Sequence, residues 1–244
     1  MRLLIRILGG VQRRRGAVTV IALIIGLVIG FAALASNVLE AETDWVDHSI
    51  LKALRSADGT EPIGPAWLER TMVNLSALGS AAVATLVVIV TCVFFLMVRR
   101  PRQAALVIGC AIGTSLAITL LKDFIGRERP SMIVAIDMAQ GLSFPSGHTM
   151  IASALYPTIG LLVASTLKHY RLKVFVFVMT ALLALLIGFT RMYLGVHFPT
   201  DVAAGWMLGL AWALTCGLVA SWLQLHGHVE PPSAPAAAAP GPSS

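Results

Sequence analysis

The sequence predicts an all-α protein, a six-transmembrane helix bundle with its functional site at the outer membrane face. Three observations carry that expectation. Hydrophobic residues make up 57% of the 244 residues and charged residues only 12%, about half the charged share usual in soluble domains. Several uninterrupted apolar stretches exceed about 18 residues, the length that crosses about 30 Å of hydrocarbon as a helix. The basic residues gather in short segments beside those stretches, as they do in cytoplasmic loops.

Residues 1–16 form a basic N-terminal segment with Arg2, Arg6, Arg13, Arg14 and Arg15. The first span, 17–35, has an apolar core of about 19 residues, longer than the roughly 7–15 of a signal-peptide core. Its Ala33-Leu34-Ala35 run is therefore read as helix and not as a cleavage site. The 36–71 loop carries Trp45 and Trp67 among acidic residues, with Pro62 and Pro65. Tryptophan favours the headgroup layer, so an interfacial helix or turn, or a plain connector, is expected there. Spans two and three, 72–98 and 103–121, are separated by Arg99, Arg100 and Arg102. A polar stretch, 122–147, precedes span four at 148–167. Lys168 and Arg171 lie between it and span five at 173–190, which opens on Lys173, and residues 191–201 lead into span six at 202–224. The tail, 225–244, is rich in Pro, Ala, Gly and Ser and is expected to be disordered.

The charges assign the sides. Eleven of the 18 basic residues lie in the three short segments just named, all on one side if six spans alternate. Eleven of the 12 acidic residues lie in the three loops on the other side. Both termini are thus expected in the cytoplasm. The net charge of +6 reflects this topology, and no nucleic-acid recognition module is visible. Cys92, Cys110 and Cys216 all sit inside apolar stretches and suggest no disulfide framework. His226 and His228 are a lone pair, too few for a metal site. Gly26 and Gly30, Gly109 and Gly113, and Gly205 and Gly209 are spaced for close helix approach. Such pairs suit packing within a bundle as well as dimerisation, so the oligomeric state stays open.

Three polar stretches stand out, because ionisable groups at span ends are costly unless they serve something. Lys122 is followed after six residues by Arg129-Pro130. Pro145-Ser146-Gly147-His148 opens span four. Arg191, five residues, His197, three residues and Asp201 lead into span six. All three fall on the side opposite the basic segments, although none was needed to assign that side.

In order and spacing these stretches resemble the type 2 phosphatidic acid phosphatase (PAP2) superfamily, with its motifs K-x6-R-P, P-S-G-H and S-R-x5-H-x3-D. Thr190 stands where that family usually has Ser. The resemblance implies an integral-membrane lipid phosphate phosphatase, its 17–224 core using no cofactor or metal, with His197 as nucleophile through a phosphohistidine. EDTA is then expected to leave activity intact. The residue types suit that chemistry, since phosphoryl transfer is catalysed mainly by positioning and charge stabilisation. Lys122, Arg129 and Arg191 can supply three cations, the arginines bidentately. Ser146 and Gly147 would form a helix N-terminus whose N–H groups face the anion, glycine letting the backbone approach closely. Asp201, one helical turn from His197, can hold Nδ1–H and leave Nε2 free to attack. His148 is the candidate general acid and later base. Pro199 is compatible with a helix that begins there. Two histidines in opposite protonation states predict a bell-shaped pH profile.

The expected partners are a lipid phosphate and the bilayer, with no nucleic acid. A bacterial inner membrane with a periplasmic site fits the chain's size and sparse loops. The leading substrate is undecaprenyl diphosphate, with phosphatidylglycerophosphate and phosphatidate as others. The alternatives are a lipid phosphotransferase sharing the intermediate, and a transporter. A transporter's charges should lie near the midplane, whereas these lie at span ends. A vanadium haloperoxidase would use a similar anion cradle, but such enzymes are soluble and this composition is not.

Overall fold

A computed structural model describes residues 2–57, 59, 61–130 and 141–225, with side chains described from residue 16 to 223. The expected tail and the pair His226 and His228 lie outside these residues. Among the described residues there are eight helices and no strand. They are α1 (Arg2–Leu39), α2 (Asp44–Ala53), α3 (Ala66–Ala77), α4 (Ala81–Met97), α5 (Pro101–Ile125), α6 (Gly147–Ala164), α7 (Tyr170–Tyr193) and α8 (Pro199–Leu225). The all-α expectation holds. Five helices are long and apolar enough to cross a membrane: α1 from Gly16, α5, α6, α7 and α8. The pair α3 and α4, bent by 50°, makes a sixth if counted as one span.

That bend is where structure and hydropathy part. The sequence reads as one span over 72–98, but the chain breaks between Ala77 and Ala81. Ser80 is extended and caps α4, its Oγ accepting the Val83 N–H at 3.3 Å. A side chain at Gly79 would come within 2.6 Å of Ile187 Cγ2 and 3.1 Å of His148 Cβ. Glycine lets this elbow press against α6 and α7, a packing demand that hydropathy does not register. Other boundaries move outward. α5 runs on to Ile125 and α7 to Tyr193, so Lys122 and Arg191 fall in last helical turns. α8 begins at Pro199, the first-turn position that proline tolerates.

Helix α6 is the hub. Its spanning window is 61% buried, against 17–39% for α5, α7 and α8. Glycines on α8 set its distance from α6. A Cβ on Gly209 would lie 2.6 Å from Ser153 Cβ and 2.8 Å from the Met150 carbonyl. One on Gly205 would lie 2.9 Å from the Ser146 carbonyl. Gly113 gives room to the ring of Trp212, whereas Gly26 and Gly109 have nothing within 4 Å. The glycine pairs thus divide between close packing inside the bundle and open outer faces. Cys92, Cys110 and Cys216 are free thiols, the last two packed with Ala154.

Consecutive long helices alternate in direction, which gathers the ends of α1, α5 and α7 with the starts of α6 and α8. At the opposite end Gln103 Nε2 donates to Ser165 Oγ at 3.4 Å, joining the start of α5 to the end of α6 beside the basic loops. The 36–71 segment is more than a connector. It folds into α2 and the start of α3, with Trp45 and Trp67 exposed, and lies over the polar end of the bundle.

Candidate active site

The polar end is assembled from helix termini. Gly126, left-handed at φ 67°, stops α5 and turns the chain back over the bundle. Lys122, one turn earlier, donates from Nζ to the Leu142 carbonyl at 2.7 Å. Past the turn, Arg129 donates from Nε to the Gly141 carbonyl at 3.0 Å and from Nη1 to the Val196 carbonyl at 2.7 Å. The same Nη1 lies 3.0 Å from His197 Nε2. Arg191 enters from α7, only 1% exposed, and donates from Nη1 to Ser76 Oγ on α3 at 2.6 Å. Its Nε is buried with no protein acceptor. His148, on the first turn of α6, is half-buried and within electrostatic reach of Arg191, His197, Arg129 and Lys122.

His197 stands in the turn between α7 and α8, 1% exposed. Its Nδ1 lies 3.3 Å from Asp201 Oδ2, which also accepts the Phe198 N–H at 2.9 Å. A carboxylate at Nδ1 selects the tautomer with its hydrogen there, and Arg129 then donates to the Nε2 lone pair. Burial pushes the His197 pKa down from 6.5 to about 4, although the hydrogen bond and charge of Asp201 push it up. The imidazole is therefore neutral at pH 7, and its contact with Asp201 is a hydrogen bond rather than an ion pair. Burial also lowers the Arg129 pKa, partly offset by Asp201.

At the start of α6, Ser146 is the extended N-cap residue and Gly147 the first helical residue. Ser146 is not free to face an anion through its own N–H, which donates to the Asp201 carbonyl at 3.0 Å. Its hydroxyl accepts from Thr149 Oγ1 at 2.9 Å. The first-turn N–H groups that follow have no acceptor within the helix. A Cβ on Gly147 would meet only Ile118, at 3.6 Å, so protein packing does not fill the space beside this backbone.

All eight residues singled out in the sequence thus gather at one end of the bundle. Thr190 is buried and its hydroxyl donates back to the Ile187 carbonyl at 2.6 Å, so the exchange for Ser leaves this hydroxyl within its own helix. Tyr193 and Phe144 serve packing. The Tyr193 hydroxyl donates to the Ile63 carbonyl at 2.6 Å, and Phe144 stacks obliquely on Phe31. The sequence reading missed Ser76, Thr200 and Asp47. Asp47 is one of seven acids in the 36–71 loop, and nothing local marks it as the buried one. Among the described residues no group of three or more His, Cys, Asp or Glu is arranged to hold a metal ion.

A membrane bundle with three cations and two histidines converging at one end defines an anion-handling membrane protein. Residues 103–225 match the model of the PAP2 superfamily, and the chain belongs to that superfamily of membrane lipid phosphatases. It is 32% identical over 192 residues to phosphatidylglycerophosphatase B of Bacillus subtilis, covering 76% of this chain and 89% of that protein. It resembles the crystal structure of a transmembrane PAP2-type phosphatidylglycerolphosphate phosphatase from Bacillus subtilis with a TM-score of 0.74. That match has 27% identity and covers 82% of this chain and 96% of the other. A shorter match, 37% identical over 67 residues and 28% of each chain, is to the undecaprenyl-diphosphatase of Sulfolobus acidocaldarius.

Proposed function

We propose that this enzyme hydrolyses a lipid phosphomonoester or diphosphate through a phosphohistidine on His197. The observation that carries the reading is the imidazole held at Nδ1 by Asp201, with Nε2 turned to the Arg129 guanidinium. An arriving phosphate would draw Arg129 onto its oxygens and uncover the Nε2 lone pair. Lys122, Arg129 and Arg191 neutralise the anion together with the first-turn N–H groups at Gly147, while Ser146 anchors that turn to α8. The unpartnered Arg191 Nε has the unmet hydrogen-bonding demand that a phosphate oxygen satisfies. Nε2 attacks phosphorus and the bond to the leaving oxygen breaks, while His148, which takes up a proton when the phosphate anion binds beside it, passes that proton to the leaving oxygen. Water then attacks the phosphohistidine, gives its proton to His148 and releases inorganic phosphate, restoring neutral His197.

For the substrate, the long matches to a Bacillus subtilis phosphatidylglycerophosphatase in sequence and in structure favour phosphatidylglycerophosphate over undecaprenyl diphosphate, whose named relative matches over 67 residues only. Residues 17–224 form the phosphatase domain in this reading. The basic loops face the cytoplasm and the site faces the periplasm of a bacterial inner membrane. The test is phosphate release by the purified protein over a panel of lipid phosphates, without added acceptor, beside His197→Ala. Wild type is expected to release phosphate fastest from phosphatidylglycerophosphate, and His197→Ala to lose about 10³-fold or more. An active His197→Ala overturns the mechanism. Turnover only with an alcohol acceptor present identifies a transferase instead.

A further inference from the structure

Arg127 is two positions from Arg129, yet its guanidinium serves different partners. Nη1 donates to Asp201 Oδ1 at 2.9 Å and to Thr200 Oγ1 at 2.8 Å, and Nη2 donates to Asp47 Oδ2 at 2.7 Å. The exposed Asp44 lies 3.6 Å from Nη2, and the Phe198 ring centroid lies 4.1 Å from the guanidinium carbon. Asp47 and Asp201 are both fully buried. Asp47 also accepts the Thr200 N–H at 3.0 Å and the Thr200 hydroxyl at 2.6 Å, so a side chain of α2 caps the first turn of α8. Hydrogen bonds therefore run without interruption from α2 through Arg127 and Asp201 to His197.

We propose that Arg127 and Asp47 are positioning residues for the nucleophile. They fix the direction in which Asp201 holds His197 Nδ1–H and the negative charge left on that carboxylate. The inference rests on the nucleophile reading of His197. Arg127 takes one oxygen of Asp201 and leaves the other to the imidazole and the Phe198 N–H, so the carboxylate cannot rotate. It also draws charge from Asp201, while Asp47 draws charge from Arg127. Removing Arg127 leaves more negative charge facing the imidazole and raises the proton affinity of His197. Removing the charge of Asp47 does the reverse. Outer partners of this kind typically alter activity about 10–100-fold.

The charged groups facing His197 and Asp201 are Arg129, Arg191, Lys122 and His148 in the cradle, with Arg127, Asp47 and Asp44 beyond the carboxylate. In the test, kcat, KM and the pH dependence of kcat/KM are measured for the full chain and for Arg127→Gln, Arg127→Lys and Asp47→Asn. All use the lipid phosphate that wild type turns over fastest, in one detergent, so the ionisation of the substrate is common to every profile. Arg127→Gln is expected to lower kcat about 10–100-fold, leave KM within about threefold, and move the acid limb to higher pH. Arg127→Lys restores the limb towards its wild-type position, and Asp47→Asn moves it to lower pH. A role in folding alone reduces the amount of active enzyme and leaves the limb in place. Limbs that stay fixed, or that move the same way in Arg127→Gln and Asp47→Asn, overturn the proposal. If Arg127→Gln does not fold, Asp47→Asn decides: a lowered limb upholds the proposal and an unmoved one overturns it. Activity in His197→Ala would remove the nucleophile reading itself, whereas its loss beside unshifted limbs overturns the positioning role alone.

Discussion

His197 is pulled in two directions: burial disfavours its charged form, and Asp201 favours it. Burial wins, leaving the pKa at about 4, below the ordinary 6.5. The free protein therefore holds a neutral imidazole at His197 above about pH 4 and protonates it only as the pH falls through that value. The acid limb of kcat/KM that His197 contributes is expected near pH 4, and a limb following His197 at pH 6.5 would contradict its burial. This moves one side of the bell-shaped profile below the pH 5 to 8 window in which two ordinary histidines would place it. Arg191 makes a second demand on residue type, because its guanidinium binds Ser76 while its buried Nε has no protein acceptor and, in the proposed mechanism, meets the anion. Arg191→Lys keeps the charge but not the fork, and should lower kcat/KM about tenfold or more. Steady-state kinetics on the purified variant would check this. His197 and Asp201 were legible in the sequence because their spacing belongs to the third of three motifs matched together. Asp47 was not, since its partner Thr200 lies 153 positions away and a single sequence carries no mark of such a pairing.

Among the helices, the contact between α6 and α8 bears most directly on the site, because it joins the segment carrying His148 to the one carrying Asp201. Gly209 faces Ser153 and the Met150 carbonyl at distances that leave no room for a methyl group, and backbone cannot yield cheaply. Gly209→Ala should destabilise the protein by about 1–3 kcal/mol. Gly109→Ala, with open space around it, should change stability by no more than about 0.5 kcal/mol. Thermal unfolding of the two variants in the same detergent would test the contrast, and equal melting points would contradict the packing. Hydropathy located the long helices but not their ends. The bend between α3 and α4 escaped it because Gly79 and Ser80 interrupt an apolar run too briefly to lower its average. The extensions of α5 and α7 escaped it because their last turns are polar, and a polar turn at a span end reads as loop.

At the scale of the whole molecule, the charge pattern and the alternation of helices place the polar cluster at the end opposite the basic loops. A membrane-impermeant thiol reagent applied to intact cells is expected to label Glu42→Cys and not Lys168→Cys, and the reverse result would invert the topology. Dialysis against EDTA should leave phosphate release unchanged, since in the proposed mechanism Lys122, Arg129 and Arg191 meet the anion without a metal. Loss of activity restored by a divalent ion would show a metal requirement. The sequence by itself determined the membrane class, the family and the eight residues that gather at one end, because hydropathy and short motifs are local properties of the chain. Only the tertiary structure decided that α2 reaches over this end with Asp47, that Arg127 rather than a cradle cation holds Asp201, and that Ser146 anchors its helix to α8. Those contacts depend on which segments meet in space: α2, the turn after α5 and the start of α6 all meet the first turn of α8, and no local run of residues records it.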